Sequence, residues 1–270
     1  MEYYSKNRGW KVNFMGIIRF LFVIFLIISF DCKNNPDITE PSKENYGVEG
    51  IIKDTVGKSI SDVQIFCLFN YSQFPVQTNL NFFKLTSPDS IINNKLYQNF
   101  PNPVLNYTYF RFALNKKSFV ELTLKYKLND SVIYKYSDTL SYGIYQHYLT
   151  FDAIHNIKNG IYVFQLKINS FDANKSEYEK EMLILNGDNK PNSTSYNNGA
   201  YFFNVAEAFI GDTVSVCDLY SPENIINYPI NNEIYLLFRK EGYKSKTIEL
   251  SLYPNIKLTQ DVVLVKDTGQ

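Results

Sequence analysis

Few side chains in this chain of 270 residues are of the types that do chemistry. His147 and His155 are its two histidines, and they flank a short strand-like run. A histidine acts as a general base or a metal ligand only beside a nucleophile, a carboxylate or further ligands. The spacing supplies no such group for either histidine, so we expect both at the surface. The Gly-x-Ser-x-Gly, Walker, His-Glu-x-x-His and EF-hand patterns are also absent from the sequence. The sequence therefore predicts a protein that is not an enzyme and that holds no cofactor and no metal.

Two cysteines, Cys67 and Cys217, lie within strand-like runs, VQIFCLF and TVSVCDLY. Outside the cytoplasm such a pair could oxidise to a disulfide. The alternative is two buried thiols that pack as small apolar side chains, and this is the interpretation that we favour. Neither cysteine belongs to a Cys-x-x-Cys motif or a Cys/His cluster, so neither predicts a metal site.

The N-terminus combines positive charge with an apolar run. Residues 20–30 read FLFVIFLIISF and follow the basic side chains of Lys6, Arg8, Lys11 and Arg19. The run has the length of a secretory signal and falls short of the ~20 residues that a spanning helix needs. Cys32 follows it directly. This arrangement resembles the signal of bacterial lipoproteins, although Asp31 stands where that signal usually has a small residue.

The resemblance implies cleavage and acylation at Cys32, with residues 1–31 as the signal. An uncleaved N-terminal anchor helix and simple secretion are the alternatives, and all three place the rest of the chain outside the cytoplasm. Residues 32–45 are polar and contain proline, so they predict a flexible tether. We therefore expect an extracytoplasmic protein of the cell envelope, held by a lipid or an anchor at a membrane, which we expect to be the outer membrane, and facing the periplasm or the cell surface.

Composition predicts the fold class. Tyr and Phe number 22 and 21, and such side chains fit the half-buried surface of a sheet. Short runs of strand-forming residues recur between Asn, Asp, Gly, Ser and Pro, which predicts an all-β protein built from β-sandwiches. One helical turn is expected near residues 204–209. The 27 basic and 27 acidic side chains balance, so the sequence predicts no binding to nucleic acid.

The two ends of the predicted β region carry one resemblance. Residues 47–67 (GVEGIIKDTVGKSISDVQIFC) resemble the opening of the carboxypeptidase-regulatory-like domain, a transthyretin-like sandwich, with a turn that begins at Asp54 and uses Gly57. Ser59 and Asp62 replace the Pro and Gly that the family usually has there. Residues 199–203, 233–250 and 258–264 resemble the closing half of that family, with Gly242-Tyr243 at the corner between two strands.

The segment between these ends carries a second resemblance. Residues 96–103 read LYQNFPNP, and together with the strands that follow, the NGIY corner at 159–162 and the YEKEMLIL strand at 178–185, they are similar to the Ig-like sorting domain of type IX secretion cargo and to the Ig-like domain of the flagellar hook cap. A sorting signal acts at the C-terminus, whereas here a long stretch of chain follows. We therefore interpret the segment as a structural domain. We expect Leu96 and Phe100 in the core, and Asn102 bonded to nearby backbone.

The two resemblances together imply two β-sandwiches, one inserted in the other. The outer domain is predicted over 46–75 plus 190–267 and the inserted Ig-like domain over 90–186. The predicted function is a non-enzymatic envelope lipoprotein that acts as a structural or protein-interaction module. The alternative is a carbohydrate- or small-molecule-binding lipoprotein, which predicts a cleft between the domains. A tyrosine-rich run over 134–148 would form an exposed patch or, as we expect, pack on a sheet.

Overall fold

The structure is a computed structural model that describes residues 46–75, 93–151, 157–185, 190–217 and 224–268. The predicted signal, the tether, Cys32 and His155 lie outside these residues. In the described ranges, no helix is both long enough and apolar enough to cross a membrane.

The described chain is all-β, as the composition predicted, with two short 3-10 helices at Tyr71–Gln73 and Val205–Ala208. The first nine strands are β1 Gly47–Asp54, β2 Gln64–Phe69, β3 Lys95–Leu96, β4 Tyr107–Leu114, β5 Ser118–Tyr126, β6 Val132–Leu140, β7 Gly143–Thr150, β8 Gly160–Ser170 and β9 Lys175–Ile184. The remaining strands are β10 Ser193–Thr194, β11 Ala200–Asn204, β12 Thr213–Cys217, β13 Ile225–Pro229, β14 Glu233–Arg239, β15 Lys246–Ser251, β16 Lys257–Thr259 and β17 Val262–Leu264.

Strands from the two ends of the described chain pair with one another. β1 lies beside β11, β16 and β17, and β2 lies between β10 and β14, with β15 at the edge. Apolar side chains on the facing surfaces pack the two sheets together. One such contact is that of the Tyr201 ring of β11 with the Phe238 ring of β14, which meet edge to face with 5.3 Å between centroids. We call this pair of sheets the terminal sandwich. The hairpin of β12 and β13 forms a separate sheet.

The strands in the middle of the chain pair among themselves. One sheet has the order β3-β4-β7 and the other the order β6-β5-β8-β9. Phe110 and Phe164 meet between the sheets with 4.8 Å between ring centroids. We call this pair of sheets the central sandwich. The described residues all belong to one compact unit, which includes both sandwiches. The domain boundaries drawn from the sequence stay predictions, since residues 76–92 and 186–189 lie outside the described ranges.

Strand β8 alternates between two faces, as the two-residue period of a strand requires. Its inward side chains are all buried, namely Tyr162, Phe164, Leu166 and Ile168. The opposite face departs from a simple solvent-facing pattern, because Ile161 and Gln165 are buried as well. Gln165 donates from Nε2 to Glu177 and Glu179 on β9, so side chains of the neighbouring strand help to cover it.

The turns form as their residue types predict. Asp54 accepts hydrogen bonds at Oδ1 from the backbone N–H groups of Val56 and Lys58, and Gly57 takes a φ of 86°. This is an Asx turn closed by a glycine in the left-handed region, a conformation that costs other residues free energy. The predicted helical turn near residue 205 is the second 3-10 helix, and Asn204 caps it by accepting from Ala206 N.

Candidate functional site

The LYQNFPNP segment contributes polar groups to the contact between the sandwiches. Leu96 and Phe100 are buried, as predicted. Asn102 accepts a hydrogen bond at Oδ1 from the N–H of Leu183 on β9 (3.0 Å) and donates from Nδ2 to the carbonyl of Ser215 on β12 (2.6 Å). The prediction that Asn102 satisfies nearby backbone groups is confirmed. Its amide ties the central sandwich to the β12–β13 hairpin.

A partly buried carboxylate forms the centre of the junction between the two sandwiches. Glu207, in the second 3-10 helix, accepts from Tyr126 Oη (2.7 Å), from Lys158 Nζ (2.9 Å) and from Asn192 Nδ2 (2.8 Å). Tyr126 and Lys158 belong to the central sandwich. Asn192 directly precedes β10 and Glu207 follows β11, so both belong to the terminal sandwich. Burial, followed by the charge of Glu207, raises the pKa of Tyr126, so this phenol stays a hydrogen-bond donor at physiological pH.

The NGIY corner sits on the terminal sandwich. Asn159 donates from Nδ2 to the carbonyl of Cys67 (2.8 Å), and the N–H of Cys67 donates to Asn192 Oδ1 (2.8 Å). These amides satisfy backbone groups of β2 beyond the short partner strand β10. Gly160 lies under the ring of Phe209, which leaves no room there for a side chain. The junction therefore combines close packing with hydrogen bonds, which orient both sandwiches.

Cys67 and Cys217 are both buried, and they are thiols that form no disulfide with each other. The structure thus contains two packed thiols in place of the disulfide that an extracytoplasmic location would allow. Burial, with a further contribution from the charge of Glu207, raises the pKa of the Cys67 thiol. The Cys217 sulfur lies 3.9 Å from the carbonyl oxygen of Gln98. Because the thiolate is the reactive form, Cys67 is not suited to nucleophilic chemistry.

His147 lies within β7, not beside it, and it is half-buried, which corrects the surface position expected from the sequence. Its Nε2 is 2.6 Å from Tyr134 Oη, and its ring lies against that of Tyr136 with 4.2 Å between centroids. Burial lowers the pKa of His147. Within the described ranges, no cluster of three or more His, Cys, Asp or Glu side chains could hold a metal ion.

The tyrosine-rich run divides between core and surface. Tyr134, Tyr136 and Tyr145 pack against the core on the inner faces of β6 and β7, as expected. Tyr148 points the other way and is 51% exposed. Its ring lies 5.0 Å from that of Tyr109 and 5.8 Å from that of Tyr107, centroid to centroid. We call the cluster of Tyr107, Tyr109 and Tyr148, on the outer face of the β3-β4-β7 sheet, the tyrosine face.

An apolar pocket of about 200 Å³ opens at the junction. We call it the junction pocket. Its lining residues come from the terminal sandwich apart from the β5–β6 turn residue Leu128, and they are Tyr46, Leu128, Val205, Ala206, Phe209, Ile210, Asp212, Pro254 and Asn255. Asp212 is the charged residue in this lining and binds Lys127 Nζ (3.2 Å), which also binds Glu181 (3.0 Å). Burial lowers the pKa of Lys127, but the hydrogen bonds and charges of the two carboxylates outweigh burial and raise the pKa overall.

Comparisons with known proteins add little to these observations. No family model matches the chain, and no curated protein matches it. Among solved structures, the soluble domain of PmoD from Methylocystis sp. ATCC 49242 (Rockwell) is 12% identical, with a TM-score of 0.25, over 37% of this chain and 86% of that one. BcpA, the major pilin subunit of Bacillus cereus, is 9% identical, with a TM-score of 0.23, over 82% and 99%. With TM-scores this low, the fold rests on the sheets described above.

Sequence reasoning missed Glu207 and the junction pocket. Glu207 occurs in NVAEAF, where nothing local distinguishes it from a solvated helix-turn carboxylate. Its partners Tyr126, Lys158 and Asn192 are far from it in sequence and from one another. One signal was present: a single acidic residue inside an otherwise apolar turn requires a partner if that turn is buried.

Proposed function

We propose that this protein is a non-enzymatic lipoprotein of the cell envelope whose β-sandwiches act as a structural or protein-interaction module. Acylation at Cys32 would anchor it, and residues 32–45 would tether the sandwiches to an extracytoplasmic membrane surface. The apolar run before Cys32 and the basic residues before that run support the anchoring part of this proposal.

The hydrogen-bonded junction between the two sandwiches is the observation on which the proposal rests. Glu207 receives hydrogen bonds from both sandwiches. Asn159 bonds the central sandwich to the backbone of β2, and Asn102 bonds it to the backbone of the β12–β13 hairpin. A junction of this kind resists bending, because any rotation would leave buried polar groups without partners. Two sandwiches joined in this way present their outer surfaces at a fixed separation and orientation, which suits a stalk, a spacer or a docking surface better than a hinged cleft.

The tyrosine face is the surface that best fits an interaction role. Tyrosine supplies a large, rigid and amphipathic contact area, and it is enriched in protein–protein interfaces. Tyr97, next to this face, lies under two cationic groups, Lys95 Nζ at 4.7 Å and Arg111 Cζ at 5.0 Å from the ring centroid. An aromatic surface of this composition supports binding to a protein more directly than it supports a reaction.

The anchoring part is tested by the mass of the mature N-terminus from membrane fractions of wild-type and Cys32→Ala cells. We expect a diacyl or triacyl adduct on Cys32 in the wild type, and its loss, with loss of membrane retention, in the variant. An intact, unmodified N-terminus retained in the membrane would replace the lipoprotein by an uncleaved anchor. Soluble protein in the wild type would exclude both.

The interaction part is tested with a photo-crosslinking side chain at Tyr148 in the full-length protein in cells. Lys135, exposed on the outer face of the other sheet of the central sandwich, is the matched control position. We expect a discrete protein adduct from position 148 that position 135 does not give and that Tyr109→Ser reduces. Equal adducts from both positions would mean that the tyrosine face has no special role.

A second candidate function is the binding of a small apolar molecule, and the junction pocket favours it. The pocket is small for a ligand site, since such sites usually span ~300–1,000 Å³. Ala206→Trp would fill it. Loss of saturable binding of a fluorescent apolar probe in this variant, together with recovery of a co-purified molecule from the wild type alone, would favour this function over the first.

A further inference from the structure

The turn between β8 and β9 presents an aromatic side chain to solvent. Phe171 is 72% exposed. The turn that carries it is held by the hydrogen bonds Ser170 N to Asn174 O (2.9 Å) and Ala173 N to Ser170 O (3.1 Å), and Asp172 binds Lys116 beside it. Phe171 is therefore an apolar knob on an ordered turn. A single exposed phenyl ring is ordinary on a protein surface, and a matching pocket is what makes it a candidate for a specific contact.

The junction pocket has the size and the lining that such a ring needs. An apolar cavity of about 150 Å³ is enough to take up benzene, and the junction pocket measures about 200 Å³. Val205, Ile210 and Pro254 give it apolar walls, and Phe209 contributes an aromatic ring. A phenyl side chain that entered from outside would meet aliphatic and aromatic carbon on several sides.

The charges around the knob and the pocket are opposite. Lys117 Nζ lies 5.7 Å from the centroid of the Phe171 ring. At the pocket, one cation, Lys127, stands against two carboxylates, Asp212 and Glu181, so this group has an excess negative charge. A phenyl ring entering the pocket would bring the ammonium group of Lys117 towards that negative charge. Complementary charge of this kind selects a partner and an orientation.

Knob and pocket lie at opposite ends of the central sandwich, so one molecule cannot join them. Ser118 at the start of β5 pairs with Ser170 next to the knob, whereas Tyr126 at the end of β5 pairs with Tyr162 near the pocket. At about 3.3 Å per residue, the length of β5 separates the two ends by roughly 25–30 Å. Contact between them therefore requires two molecules.

We propose that the junction pocket binds Phe171 of a second copy of this protein. The contact is heterologous, with different surfaces on the two copies, so it builds head-to-tail chains and not closed dimers. This inference deepens the proposed function and rests on its anchoring part. A contact centred on one ring is small and weak, so it needs the high local concentration of protein that anchoring at a membrane supplies.

The test replaces Phe171 by the photo-crosslinking residue p-benzoylphenylalanine in the full-length protein in its native membrane. We expect a crosslinked dimer and a ladder of larger species, with the crosslink mapping to the lining of the junction pocket. Val56, 84% exposed on the β1–β2 turn, is the matched control position and is expected to yield at least fivefold less dimer. Lys117→Glu in the position-171 protein is expected to lower the dimer yield severalfold.

A complementation experiment separates loss of contact from loss of folding. Phe171→Ser removes the knob and keeps the pocket, whereas Ala206→Trp fills the pocket and keeps the knob. With a crosslinker at Asn255 on the pocket rim, neither variant alone should form dimers. The two together should form a mixed dimer and no larger species, because only one pairing of knob and pocket remains.

Three results would overturn the inference. They are a crosslink from position 171 to position 171 of another copy, adducts of position 171 with other proteins or with lipid only, and no mixed dimer from the complementing pair. Each of these can occur while Cys32 is acylated and the Tyr148 probe yields its protein adduct. Failure of self-association is thus distinguishable from failure of the proposed function.

Discussion

Gly160 lies directly beneath the ring of Phe209, so that a Cβ added at Gly160 would come within 2.6 Å of Phe209 Cε2. Gly160 begins β8 in the central sandwich, whereas Phe209 directly follows the second 3-10 helix. Phe209 adopts a left-handed backbone conformation, with φ of 51° and ψ of 31°. A non-glycine residue holds that conformation only where its surroundings determine it. The contact between these two residues therefore sets how closely the sandwiches approach.

Gly160→Ala should lower the free energy of unfolding by about 3 kcal/mol, because it adds overpacking against Phe209 to the cost of a positive φ. Gly211→Ala is the control, since Gly211 has a φ of 85° and no atom within 4 Å of an added Cβ. We expect it to cost about 1–2 kcal/mol from backbone strain alone. Denaturant unfolding measures both. Equal losses in the two variants would mean that the Phe209 ring moves aside freely, and a Gly160→Ala/Phe209→Ala double variant should then show no coupling.

Local features of this fold were predictable because their causes are local. The Asx turn at Asp54, the buried Leu96 and Phe100, and the inner face of β8 follow from turn chemistry and from the two-residue period of a strand. Gln165 broke that period, because side chains of β9 cover a residue that an isolated strand would expose. Glu207 was beyond prediction for the same reason, since each of its partners comes from a distant part of the chain.

Glu207→Ala should cost about 2–4 kcal/mol of unfolding free energy. The substitution leaves Lys158 and Tyr126 at a largely buried junction without their acceptor, and removing one partner of a buried pair is strongly destabilising. The Lys158 and Glu207 side chains are 22% and 17% exposed. Asp172→Ala serves as the comparison, because it breaks an ion pair with Lys116 that is open to solvent, and such pairs add little to stability. A similar small loss for both variants, measured by denaturant unfolding, would contradict a structural role for the junction network.

His147 should make the protein less stable as the pH falls below about 6.5, the ordinary pKa of histidine. Burial lowers the pKa of His147 in the folded state, so between the two pKa values the unfolded chain binds more protons than the folded one. The stability that neutral His147 contributes is complete above pH 6.5 and declines as the pH drops towards the folded-state pKa. His147→Gln should flatten the dependence of the unfolding midpoint on pH between 7.5 and 5.5. An unchanged slope in this variant would assign the dependence to other groups.

The two buried thiols should stay reduced and unreactive even though an oxidising location is proposed for the protein. Burial raises the pKa of Cys67, so its thiolate is scarce at pH 8, and alkylation by iodoacetamide requires both the thiolate and access to it. Peptide mapping should find Cys67 and Cys217 unmodified after treatment of the native protein and fully carbamidomethylated after treatment in guanidinium. Ser72→Cys, at an exposed position just beyond β2, provides a thiol that should react in the native state. A Cys67–Cys217 disulfide peptide in protein isolated without reductant would contradict this expectation.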